Sequence, residues 1–146
     1  MVTISNKLRK EELDLLKKSG YSDKAIEYYE DRINVGIIEN ADVVLDYTGP
    51  CGDTIKLYLE VDADSRIKDA KFLYLGCPGL ASSVSMLTRL IKSKTIEEAK
   101  KISEHDIVCE LGGLPESKLD CPKLAVTTLQ KTIAEYEGNK SPRKSA

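Results

Sequence analysis

The chain has 146 residues, which suits one domain around a single buried core and leaves too little for two. A 41% hydrophobic share, 32% charged residues of both signs and a formal net charge of −2 describe an ordinary water-soluble domain. There is no basic stripe interleaved with aromatics and no apolar run long enough to span a bilayer, which argues against nucleic acid and against a membrane as partners.

The first stretch, MVTISNKLRKEELDLLKK, is charged and helical and does not lead into an apolar run, so it reads as no secretory leader. The expected compartment is the cytosol, where four reduced cysteines point to metal binding or catalysis before disulfides. Residues 1–20 read as an N-terminal helical extension: Leu8, Leu13, Leu15 and Leu16 recur among charges, and Gly20 ends the pattern. A second helix is expected over SDKAIEYYEDR with Ser22 as its N-cap, and its Tyr28 and Tyr29 suit a core or an interface. Next come Gly36, a short β-like run at Val43, Val44 and Leu45, and the turn Gly49-Pro50-Cys51-Gly52.

The clearest strand is TIKLYLEV, where Ile55, Leu57, Leu59 and Val61 alternate with Lys56, Tyr58 and Glu60. A turn at Asp62–Ser65 leads to RIKDAKFLYLG, the next antiparallel strand; apolar residues occupy both of its alternations, so its buried face stays open. Helical patterns fill roughly 78–93, 95–110 and 122–137, the last with Ala125, Leu129, Thr132 or Ile133, and Tyr136 along one side. The closing GNKSPRKSA is polar, and 139–146 is expected to be a flexible tail. Strands first and helices after give an α+β fold: a small antiparallel sheet of about three strands with helices on one face.

Three cysteines fall at the ends of elements. Cys77 and Cys121 each precede a proline and a helical run, which places them at helix N-caps. Unpaired N–H groups and the helix dipole there favour thiolate, the form that attacks electrophiles and binds metals. Cys51 sits in the Gly-Pro-Cys-Gly-Asp turn, with the Asp53 carboxylate two residues on. A single free cysteine is more often a small buried hydrophobe than a ligand, but three at element ends shift that balance. The spacing is not that of paired C-x-x-C motifs, so the residues alone define a candidate thiolate site and no more. Cys109, among Ile107, Val108 and Leu111, is expected in the core, and His105, in the charged run SEHDI, on a solvated helix face.

At these residues the chain resembles the iron–sulfur cluster assembly scaffolds of the IscU family, which includes the N-terminal domain of NifU. The resemblance runs from about Tyr21 to Gly138, giving a scaffold domain over 21–138. It is carried by YSDKAIEYYEDRINVG, by CGDTIKLYLEVD, by FLYLGCPGLASSVSMLTRLIKSKTIEEAKKI and by LPESKLDC, in that order. It implies a scaffold and not an enzyme, holding a cluster (2Fe–2S first, 4Fe–4S as the alternative) on Cys51, Cys77 and Cys121 with Asp53 as the site's carboxylate. It further implies that Cys121 accepts persulfide sulfur from a cysteine desulfurase and that apo-acceptor proteins receive the cluster; whether an iron donor serves the site stays open. Lys118 matches the lysine of the loop before the third cysteine, and Tyr21 the family's N-terminal tyrosine.

Two departures stand out. Asp120 replaces the histidine that many members carry beside the last cysteine, which leaves the fourth ligand open between Asp53 and Asp120. The loop LPESK differs from the Leu-Pro-Pro-Val-Lys that a dedicated chaperone reads, so a chaperone partner is not implied. Monomer and homodimer are both compatible with the pattern. Two other readings use the same residues: a zinc-binding module closed by the three cysteines and Asp53 or Asp120, which an apo-scaffold could also form, and a metal-free sulfur-transfer protein.

Overall fold

The computed structural model describes residues 8–140. Three strands, β1 (Val43–Thr48), β2 (Thr54–Val61) and β3 (Ile67–Leu75), form one antiparallel sheet in the order β1-β2-β3. The first is longer than the Val43–Leu45 run suggested. In β2 the expected alternation puts Ile55, Leu57 and Leu59 wholly inside. Tyr58, on the opposite face, is also covered: its ring packs beside the Lys56 ammonium, 5.9 Å from the centroid.

The ambiguity of β3 has a physical origin. Val61 pairs with Ile67 but Glu60 pairs with Asp69, so Lys68 is an extra residue that shifts the phase. Ile67 faces the core before the bulge, and Ala70 and Phe72 face it after. A sequence pattern of strict period two does not show such a slip.

The helices are α1 (Lys10–Ser19), α2 (Asp23–Glu30), α3 (Pro78–Ile91), α4 (Ile96–Ala99), α5 (Glu104–Leu111) and α6 (Asp120–Lys140), with a 3-10 turn at Glu116–Lys118. Central among them is α3, whose Leu80, Val84, Leu87 and Ile91 are fully buried and which packs on β3, α2, α5 and α6. Small residues let α2 come close, and Ser82 Oγ bonds to the Ala25 carbonyl across the gap at 2.7 Å. Helix α6 lays Leu124, Ala125, Leu129 and Ile133 over β1 and β2. Val44, Leu73 and Leu75, on the sheet's other face, stay exposed, so the helices cover one side as the α+β expectation requires.

The single helical stretch expected over 95–110 is two helices. Thr95 with Glu98 and Ser103 with Asp106 each form a capping box, and the second box starts a new helix after a turn at Lys100–Ile102. Helix α6 continues to Lys140, into the start of the expected tail; residues 141–146 and 1–7 lie outside the described part. The extension's α1 has no buried residue, though Leu13 and Leu16 rest against the core, and it ends at Gly20 in the left-handed region (φ +108). Ser22 caps α2 as expected, accepting the Ala25 N–H at 2.9 Å, while its hydroxyl donates to the Leu111 carbonyl at the end of α5. Among the described residues no helix is long and apolar enough to cross a membrane.

Candidate metal centre

Three chain reversals meet at one end of the sheet. The β1–β2 turn, closed by the Gly49 N–H on the Asp53 carbonyl, carries Cys51 and Asp53. The end of β3 passes through Gly76 to Cys77, which occupies the N-cap of α3 with Pro78 at its first position. The 3-10 turn runs into α6 and delivers Cys121. The helix starts two residues earlier than the Cys-Pro pattern suggests: Asp120 opens it, and Cys121 lies in its first turn instead of at the N-cap. Proline is tolerated there because the first-turn N–H groups have no intrahelical partner.

Ligand atoms of Asp53, Cys77 and Cys121 all lie within 4.8 Å of one another. The two sulfurs are 3.8 Å apart. Cys51 and Asp120 do not join this tight group; they line the adjoining pocket of about 400 Å³ with Asp53 and Cys121. Cys51 is exposed on its turn, where Gly52 adopts φ +93, and Cys121 is 7% exposed.

The two close sulfurs share a proton unequally. A hydrogen bond from the Cys121 S–H is the main cause that holds the Cys77 thiol well below its usual range. Burial opposes this, and the N–H groups of Leu80 and Gly79 and the Lys118 cation reinforce it. Cys121 is correspondingly pushed up, first by that same bond, then by burial and by the negative charges of Cys77 and Asp53. Tyr21 stands beside them as a neutral phenol, its pKa raised to about 12 by burial and then by the charge of Cys77 and Cys121.

Two glycines matter here that the cysteine pattern did not single out. A Cβ on Gly76 would come 2.5 Å from Leu80 Cδ2 and 3.1 Å from Asp53 Cγ, so a side chain there would press on Leu80 and on the carboxylate beside the thiols. A Cβ on Gly79 would press on Lys118 Cβ at 3.2 Å and on the Tyr21 hydroxyl at 3.4 Å. The Gly-Cys-Pro-Gly string was the available signal.

Cys109 is not in the core. It is exposed on α5, its Sγ 3.2 Å from His105 Nε2, which is exposed as expected. The buried stripe of α5 is Ile107 and Leu111, and a residue two places from Ile107 falls on the far side of a helix.

A one-sided α+β sheet that gathers two thiols and a carboxylate from three element ends defines a small domain with a donor set suited to a metal ion. Residues 20–143 match the NifU-like N terminal domain family, and the chain belongs to it. It is 43% identical over 117 residues to "Iron-sulfur cluster assembly scaffold protein IscU 1" of Archaeoglobus fulgidus, covering 80% of this chain and 76% of that one. It is 38% identical over 130 residues to the protein of Rickettsia prowazekii named "Iron-sulfur cluster assembly scaffold protein IscU", covering 86% and 98%. Among solved structures it resembles a putative iron–sulfur cluster assembly scaffold protein for the SUF system from Fervidobacterium islandicum. That match has a TM-score of 0.66 at 25% identity and covers 77% of this chain and 96% of the other.

Proposed function

We propose that this protein is a scaffold on which an iron–sulfur cluster is assembled and from which it is passed to acceptor proteins. The observation that carries the reading is the group of Asp53, Cys77 and Cys121 with ligand atoms within 4.8 Å, opening on a pocket that also presents Cys51 and Asp120. The cluster, of the 2Fe–2S type, is cargo, held by the three cysteines and one carboxylate, with Asp53 better placed for that role than Asp120.

Thiolates suit iron, and oxygen is the harder, more exchangeable ligand in such a set. A site that must fill and empty gains from that weak fourth position. Sulfur arrives when Cys121, passing its proton to the neighbouring Cys77 thiolate, attacks the outer sulfur of a desulfurase persulfide. A new S–S bond forms on Cys121, the old one breaks, and the desulfurase leaves as thiolate. Access is from the pocket that Cys121 and Cys51 both line. No turnover chemistry beyond this capture is required, so the protein acts as a carrier and not as an enzyme, with the cytosol as its place of work.

The test is anaerobic loading with iron and sulfide, read by visible absorbance with iron, sulfide and zinc analysis. The parent should turn brown; Cys51→Ser, Cys77→Ser and Cys121→Ser should each fail to hold the cluster, while Cys109→Ser keeps it. Two thiols and a carboxylate are also a zinc donor set. A colourless protein carrying stoichiometric zinc under these conditions would replace the scaffold reading with a structural zinc site, and a colourless metal-free one with a sulfur carrier.

A further inference from the structure

Helix α5 brings together a second pair of side chains of metal-ligating type, outside the pocket. Residues four apart on a helix lie one above the other on the same face. On α5 this brings together His105, the single histidine of the chain, and Cys109, the one cysteine outside the candidate centre. Both are exposed, and Cys109 Sγ lies 3.2 Å from His105 Nε2. Holding an exposed thiol and imidazole in contact restricts two side chains for one weak hydrogen bond, a poor return for stability. The same convergence is what a chelate needs.

We propose that His105 and Cys109 form a two-ligand surface site for a thiophilic d10 cation, Zn(II). Zinc bonds of about 2.3 Å to sulfur and about 2.0–2.1 Å to nitrogen, at a tetrahedral angle, set the two ligand atoms about 3.5 Å apart. The observed 3.2 Å needs an opening of only a few tenths of an ångström, within the reach of side-chain torsions. Binding breaks the Cys109 S–H bond, releases that proton to solvent and forms the Zn–S bond. The imidazole gives its Nε2 lone pair and keeps its hydrogen on Nδ1. Imidazole with thiolate selects zinc over magnesium or calcium, which prefer oxygen. Two coordination positions stay open, so the ion is exchangeable, unlike one in a closed structural site.

The thiol pocket also competes for zinc, so the test separates the two. The full chain is titrated with zinc while the ring signals of its one histidine are followed by NMR. A parallel cobalt titration follows the thiolate-to-metal charge-transfer band. The expected result is two binding events, the weaker of which shifts the His105 ring signals. His105→Ala and Cys109→Ser should each weaken that event by more than about tenfold, since even outer-shell partners of a metal are worth that much. Both should leave the stronger event in place; a Cys51→Ser/Cys77→Ser/Cys121→Ser chain should show the reverse. If excess zinc leaves the His105 signals unmoved, or the weaker event survives in His105→Ala, the site does not exist. Neither outcome touches the cluster reading, which rests on other residues.

Discussion

Cys121→Ala removes the S–H that most favours the Cys77 thiolate and leaves the Leu80 and Gly79 N–H groups and Lys118 in place. A hydrogen bond to a charged group contributes about 1.5–3 kcal/mol. A thiol is a weak donor and Cys77 is only half-buried, so solvent screens part of it and the lower end applies. About 1.4 kcal/mol corresponds to one pKa unit, so the Cys77 midpoint should rise by about one unit in the variant. Because the folded pKa is depressed, the thiolate is present at neutral pH and lost on acidification. In the variant that loss should come about one pH unit earlier on the way down. The assay is iodoacetamide alkylation of the metal-free protein against pH, with Cys51 and Cys109 replaced by serine and the product located by mass spectrometry. A midpoint identical in parent and variant would show that Cys121 does not set the charge on Cys77. A parent midpoint near that of a free thiol would refute the shared proton altogether.

Asp53→Ala takes away a negative charge that pushes the Cys121 thiol up and, on the proposed function, the exchangeable oxygen of the ligand set. The loaded variant should keep its cluster longer and pass it to an apo-ferredoxin more slowly, timed by absorbance; faster loss would make Asp53 a necessary holding ligand. Ser22→Ala removes both the N-cap of α2 and the bond to the Leu111 carbonyl, for a loss of about 2 kcal/mol in denaturant unfolding. An unchanged midpoint would mean that the 22–111 link carries no stability.

Much of this was legible because local chemistry and tertiary structure agree. Pro78 after Cys77 places that thiol at a helix start, Ser22 caps α2, and the alternation Ile55, Leu57, Leu59 marks the inner face of the sheet. What escaped were features of phase. The extra residue at Lys68 shifts β3 by one, and the turn at Lys100–Ile102 cuts one apparent helix into two. Cys109 was misplaced because its apolar neighbours suggested a core, whereas the helical period assigns Ile107 and Leu111 inward and Cys109 outward. The capping boxes at Thr95 and Ser103 were readable signals that break the segment at the right place. The membership of the tight group was not readable: nothing local says that Asp53 joins Cys77 and Cys121 while Cys51, two residues away, stays on the rim.

Asp53 precedes β2, Cys77 caps α3 and Cys121 lies in the first turn of α6, so the candidate ligand set joins the sheet to the two helices that cover it. Anything bridging those groups is also a cross-link, spanning 44 residues of chain between the two sulfurs alone. It binds the folded chain and not the unfolded one, and so raises stability in proportion to the logarithm of its occupancy ratio. The cargo is thus a removable staple. On the proposed function the loaded molecule should be stiffer than the empty one, and hydrogen exchange should report the protein as looser at three element ends at once when an acceptor draws the cluster away.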